Sequence, residues 1–218
     1  MQARVTPDGK YVLVPNRDDS TLQIFDAAAL HLLGTIGVGN QPEQVVVLPD
    51  NTVAFVSAPG SNAVSAVDLN RRVLLSNLRL TGAPSALMLK PDGGELYINV
   101  PDAHGLEIIN TWRAEISESM LLGLAPAEGT MTDDAGLVYI SDRAAGSVIP
   151  IQMATRHLLP PVSVGRHPSA CALVPAADLL LVTDEDSDDL AVIRVRTQSL
   201  ATMIPVGSHP HSIAIKLF

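Results

Sequence analysis

Three histidines in the C-terminal part of the chain stand beside prolines, in His167-Pro168 and in His209-Pro210-His211, and Gln41 and Glu43 flank Pro42 near its start. Imidazole and carboxylate are ligands for Zn²⁺, Cu²⁺ or Fe, and an imidazole near neutrality also serves as a general base. What relates these residues is not local spacing. Pro42, Pro84, Pro126, Pro168 and Pro210 recur every 42 residues without drift, within VGNQP, TGAP, GLAP, VGRHP and VGSHP. In that frame the residue before the proline is Gln41, Ala83, Ala125, His167 or His209, and the residue after it is Glu43, Ser85, Ala127, Ser169 or His211. Gln44, Ala86, Glu128, Ala170 and Ser212 follow. A period of this size decides the architecture before any local propensity does.

Each repeat carries four apolar runs. The first follows the proline, as in Val45-Val-Val-Leu48. A Pro-Asp-Gly turn (Pro7-Asp-Gly9, Pro49-Asp-Asn51, Pro91-Asp-Gly93) leads to the second run, such as Tyr11-Val-Leu-Val14 or Val138-Tyr-Ile140. Proline presets φ, aspartate bonds its own backbone and glycine accepts positive φ, which is hairpin chemistry. β-branched and aromatic residues in the second run favour strands. A polar loop, a third run (Leu22-Gln-Ile-Phe25) and a weaker fourth complete the unit. Asp26 to Leu33 reads as helix alone, but the frame places it across the turn between the third and fourth runs. Four strands in about 40 residues is the spacing of a propeller blade, whose runs are apolar throughout because both faces pack on neighbours. The expected fold is therefore an all-β β-propeller in one domain. Its repeats are 1–42, 43–84, 85–126, 127–168 and 169–210, with an extra inner strand over 211–218.

Composition narrows the function classes. The 218 residues are 47% hydrophobic and carry a net charge of −9, with one cysteine, Cys171. An acidic chain that is 3% aromatic is poorly equipped for phosphate backbones or base stacking, so no nucleic-acid partner is expected. No apolar run reaches the length of a membrane span, and the opening residues lack the apolar core of a signal peptide. Cys171 reads as a small buried hydrophobe. Asp184-Glu-Asp-Ser-Asp-Asp189 reads as a solvated loop, because it lacks the glycine and distal glutamate of a calcium loop. His31, His104 and His157 fall at loop or outer positions, and Trp112 in a third-to-fourth-strand turn. Gly-rich phosphate loops, G-x-S-x-G, H-E-x-x-H and C-x-x-C are not found.

The pattern VG-x-x-P, apolar run, PDG, YV-x-x-x-N, apolar-Asp resembles the YVTN-type repeat of the lactonase-like β-propeller superfamily. Pro7-Asp-Gly-Lys-Tyr-Val-Leu-Val-Pro-Asn16 and Ile24-Phe-Asp26 fit it well, Leu96-Tyr-Ile-Asn99 in part. The resemblance implies that the first run is the inner strand. Gln41, Glu43, His167, His209 and His211 would then converge at the mouth of a central channel. There they form a ligand-binding set, and the three histidines a candidate divalent-metal site. It also implies an extracytoplasmic bacterial setting. The pattern drifts: the Asp closing the third strand is Asp26 and Asp68, then Asn110, Gln152 and Arg194, and no family active-site residue transfers to a matching motif. The leading expectation is a non-catalytic binding or scaffold propeller presenting loops to a protein or small molecule. The alternatives are a lactonase-like hydrolase and a metal- or haem-linked redox accessory. If the ring is incomplete, open edges favour a homo-oligomer.

Overall fold

The computed structural model describes residues 3–123 and 125–215. The chain divides into two compact units, Met1–Met120 and Leu121–Phe218. Within the first, β1 (Arg4–Val5), β2 (Tyr11–Asn16), β3 (Thr21–Asp26) and β4 (Leu32–Gly37) form one antiparallel sheet. A second contains β5 (Val45–Val47), β6 (Val53–Ala58), β7 (Ala63–Asp68) and β8 (Val73–Arg79). The third contains β9 (Ala86–Leu89), β10 (Glu95–Val100), β11 (Gly105–Asn110) and β12 (Glu115–Leu121). The second unit holds a fourth sheet, of β13 (Pro126–Met131), β14 (Leu137–Asp142), β15 (Ser147–Gln152) and a last strand broken into β16 (His157–Leu158) and β17 (Val162–Ser163). Its fifth sheet is β18 (Pro168–Val174), β19 (Leu179–Asp184), β20 (Asp189–Arg194) and β21 (Ser199–Pro205). Five antiparallel sheets with strands in chain order are the blades of an all-β propeller, as the 42-residue frame requires.

Asp26 closes β3, and its Oδ1 accepts the N–H groups of Ala28 and Ala29, so the apparent helix is an Asx turn. The repeat overrides local propensity there. The fourth strand of the fourth sheet is interrupted at Leu159-Pro160-Pro161, where two successive prolines cannot donate to a ladder. Residues 211–215 take no strand pairing among the described residues, and 216–218 of the expected terminal strand lie outside them.

The middle strands are buried on both faces: five of six residues in β6, β7, β10 and β11 are inaccessible. Face-to-face packing explains this. Leu13, Leu22 and Ile24 meet Val45, Ala54 and Val56 between the first two sheets, and Phe55 and Val64 meet Leu96 and Ile98 between the next two. Tyr139, Val148, Leu180 and Val182 do the same in the second unit. Each fully buried Leu, Ile, Val or Phe contributes roughly 1.5–3 kcal/mol relative to exposure. The fourth strands β8 and β12 are instead largely exposed.

The backbone keeps the period even where residue types drift. Ser20, Asn62, His104, Gly146 and Asp188, each 42 residues from the next, all have positive φ, and so do Leu30, Arg72, Ala114, Arg156 and Gln198.

Candidate functional site

The proline turns are built around buried side chains. Pro42, Pro84, Pro126 and Pro168 are buried, while Gln41 and His167 just before two of them are exposed at φ of 55° and 52°. The left-handed residue swings its side chain out as the proline goes in. His209 repeats this, exposed at φ 52°. A glycine precedes most of these turns because the chain presses on the end of the following sheet's second strand. An added Cβ on Gly39 would lie 2.6 Å from Ala58 Cβ, and one on Gly165 2.6 Å from Asp184 Cβ.

The turns at Pro42 and Pro168 are each tied to the loop between the second and third strands of the sheet they enter. In the first unit Gly60 N–H donates to Asn40 O (3.1 Å) and Asn40 N–H to Ser61 Oγ (2.7 Å). Glu43, half-buried, pairs with Arg17 of the preceding loop. In the second unit Glu185 N–H donates to His167 O (3.1 Å), and Arg166 N–H to Ser187 Oγ (3.0 Å). Arg166 Nη2 donates to Asp186 O (2.8 Å), and His167 Nδ1 lies 2.6 Å from Asp186 Oδ2. Arg143 pairs with Glu185, and His209 N–H donates to Asp188 Oδ1 (2.9 Å). Such exposed pairs are worth about 0–1 kcal/mol each, so their effect is to fix side-chain position rather than to hold the fold.

The structure thus places Gln41 and Glu43 on the first unit's turn and His167, His209 and His211 on those of the second, all three histidines exposed. Among the described residues no three His, Cys, Asp or Glu side chains gather within reach of one metal ion. His31, His104 and His157 are exposed as expected, and Trp112 is 77% exposed, lying over Gly94.

A second layer lies beneath the turns. Ser57, Ser141 and Thr183 are buried on the second strands at matched places, and their hydroxyls accept the N–H groups of Gln44, Glu128 and Ala170. Ser141 Oγ also donates to Ser169 O (2.9 Å), and Ser169 Oγ to Pro210 O (3.4 Å). Pro210 therefore lies beside the fifth sheet, and the described residues that follow it form no ladder.

The reading of Asp184–Asp189 as a solvated loop needs correction at its first residue. Asp184 ends β19 and is fully buried, and neither carboxylate oxygen has a hydrogen-bond partner. Burial pushes its pKa up to about 6, with the approach of Gly165 N–H opposing and Asp189 reinforcing the shift. Its counterpart Asp142 is also buried but accepts N–H groups from Ala125, Ala144 and Ala145. Desolvation likewise raises Glu128, against the pull of Arg143.

Cys171 lies on β18, and burial of its thiol pushes the pKa up to about 12, with the charges of Glu128 and Asp184 adding to the rise. The thiolate is the nucleophile, so this thiol, on a residue that is half-buried, is expected to react slowly. The native protein at pH 8 is expected to leave an aromatic disulfide reagent unreacted until denaturant is added; stoichiometric native labelling within minutes would contradict the burial.

No family model matches the chain, and a search of curated proteins finds no match. Solved structures do match in fold. Hydrazine synthase of Kuenenia stuttgartiensis superposes with a TM-score of 0.83 at 19% identity, over 96% of this chain and 66% of that one. A functionally unknown protein from Desulfotomaculum acetoxidans gives 0.80 at 11% identity, over 92% and 68%. The dihydro-heme d1 dehydrogenase NirN, solved in complex with DHE, gives 0.79 at 14% identity, over 94% and 47%. The chain spans about half to two thirds of the length of these proteins, and at such identities the likeness is one of fold.

Proposed function

We propose that this chain is a binding propeller of the YVTN-repeat kind, in which the proline turns and the loops bonded to them present a polar recognition surface. The observation that supports this most directly is the bonding of the Pro42 and Pro168 turns to their partner loops. Arg166, His167 and Asp186 in one unit, and Arg17, Asn40 and Glu43 in the other, are exposed or half-exposed yet held by backbone and ion-pair contacts. Preorganised side chains on a buried β scaffold suit recognition, since less ordering entropy is lost on binding. A photo-crosslinking residue at position 166 or 209 is expected to yield the same discrete adduct in cells of the source organism, and one at position 75 on β8 none. Hydrolysis of simple lactones or aryl esters that His167→Ala, His209→Ala or His211→Ala abolishes would overturn the reading in favour of a hydrolase.

A redox-accessory reading draws on NirN, a dihydro-heme d1 dehydrogenase. Its test is a haemin titration. A stoichiometric shift of the Soret band, lost in His209→Ala/His211→Ala, would favour it over a purely protein-binding surface.

A further inference from the structure

At the other end of the strands from the proline turns, the hairpin between first and second strands closes the groove to the neighbouring sheet in the first unit. Asp8 N–H donates to Asn51 Oδ1 (3.1 Å) across the first and second sheets. Gly93 packs so closely on Pro49 that an added Cβ would lie 2.8 Å from its Cδ. Among the described residues the fourth and fifth sheets show no such closure. Ala135 and Ala177 stand where the earlier repeats have Gly9, Asn51 and Gly93, and neither side chain can bridge. A cavity of about 340 Å³ is left, walled by Leu137, Leu173, Leu179 and Val195. That volume lies in the range of small-ligand pockets.

The charged groups at this cavity are of one sign. Asp133, Asp134 and Asp178 line it, together with the hydroxyl-bearing Thr132. Asp134 is the turn aspartate found in most repeats, and its carboxylate is engaged by Thr132 Oγ1 (2.6 Å) and Gly136 N–H (2.9 Å). The other two are departures from the repeat. Asp133 replaces the proline of Pro7, Pro49, Pro91 and Pro175, and Asp178 replaces Lys10, Thr52, Gly94 and Gly136. Among the described residues the Asp178 carboxylate receives Arg196, whose N–H is 3.3 Å and Nε 3.7 Å away and whose side chain is 84% exposed. Beside the wall residue Val195, whose carbonyl accepts Gln198 Nε2 (2.6 Å), Gln198 Oε1 is buried without a partner. Apolar walls with acceptors at the rim complement a donor cation on a hydrocarbon body, and a carboxylate ligand would meet like charge.

We propose that the cavity between the fourth and fifth sheets binds a primary alkylammonium group, its hydrocarbon chain against Leu137, Leu173, Leu179 and Val195 and its cation between Asp133 and Asp178. The site is independent of the proline-turn surface and stands or falls without it. The test is calorimetric titration of the full chain with n-hexylammonium, n-hexanol and hexanoate. Hexylammonium is expected to bind saturably, hexanol more weakly and hexanoate not at all. Asp133→Asn/Asp178→Asn, surface changes that leave the core untouched, should weaken hexylammonium about threefold to tenfold and leave hexanol unchanged. Equal binding of amine and alcohol, or no loss in the double variant, would overturn the proposal. Nα-acetyl-lysine amide provides the second arm: binding as tight as hexylammonium assigns the site to a protein lysine, weaker binding to a free amine.

Discussion

Gly39→Ala and Gly165→Ala are each expected to lower the melting temperature by about 4–8 °C, whereas Gly207→Ala at the same place in the repeat should shift it by no more than about 2 °C. The sequence makes the three look equivalent, since all belong to VG-x-x-P. Their surroundings differ. A Cβ on Gly39 meets Ala58 Cβ at 2.6 Å, and one on Gly165 meets Asp184 Cβ at 2.6 Å and Ser187 Oγ at 2.2 Å, while among the described residues nothing beyond its chain neighbours lies within 4 Å of one on Gly207. Ala58 and Asp184 sit at the buried ends of β6 and β19, so relief requires moving a strand or the turn. Overpacking of this kind costs about 1–3 kcal/mol. A reciprocal check is available: Ala58→Gly removes the opposing carbon and should restore part of the loss in Gly39→Ala, a coupling measurable by a double-mutant cycle. Equal losses in Gly39→Ala and Gly207→Ala would show instead that the glycines serve backbone freedom alone.

That comparison shows where the sequence speaks and where it is silent. The strands and their order were legible because burial on both faces writes unbroken apolar runs, such as Val53-Ala-Phe-Val56, at a constant interval. The frame also puts Gln41, His167 and His209 at one position of the repeat, and all three share a left-handed backbone. It could not give their partners. His167 meets Asp186, and Arg166 meets Asp186 and Ser187, across about 20 residues of chain. Those contacts depend on which way a left-handed residue turns its side chain. The left-handed positions were nearly invisible too: of Ser20, Asn62, His104, Gly146 and Asp188, one is glycine. Asp184 was misread for a related reason. An acidic run looks solvated by composition, but its first residue ends a strand at the place held by Ala58 and Val100 in other sheets, both fully buried. The frame carried that signal, and overlaying the buried positions rather than the polar ones would have found it.

Asp184→Asn is expected to stabilise the protein at pH 8 by about 1–2 kcal/mol, or roughly 2–8 °C, and to give no gain at pH 4. The folded-state pKa of Asp184 is raised to about 6 from an ordinary value of 3.8. Between these values the folded chain holds a proton that the unfolded chain has released, so stability falls as pH rises from about 4 through about 6. Above that range both states are ionised and the full penalty of an unpaired buried carboxylate persists. The two pKa values alone correspond to about 3 kcal/mol, reduced here for the relaxation and water access that soften buried charges. Asparagine keeps the shape, and the repeat already uses it at Asn16. Asp184→Ala copies Ala58 and should abolish the same pH dependence without introducing an amide. Melting curves from pH 4 to 8 decide the matter. Parallel profiles for wild type and both variants would mean that the Asp184 carboxylate is hydrated or paired in solution. A slope present in wild type and absent in both variants would identify it as a charge retained at the expense of stability. Such charges cluster at functional sites. Asp184 lies beside Gly165, directly under the turn that carries Arg166 and His167. A partner cation reaching that turn would then bind more tightly above pH 6, as the carboxylate beneath it ionises.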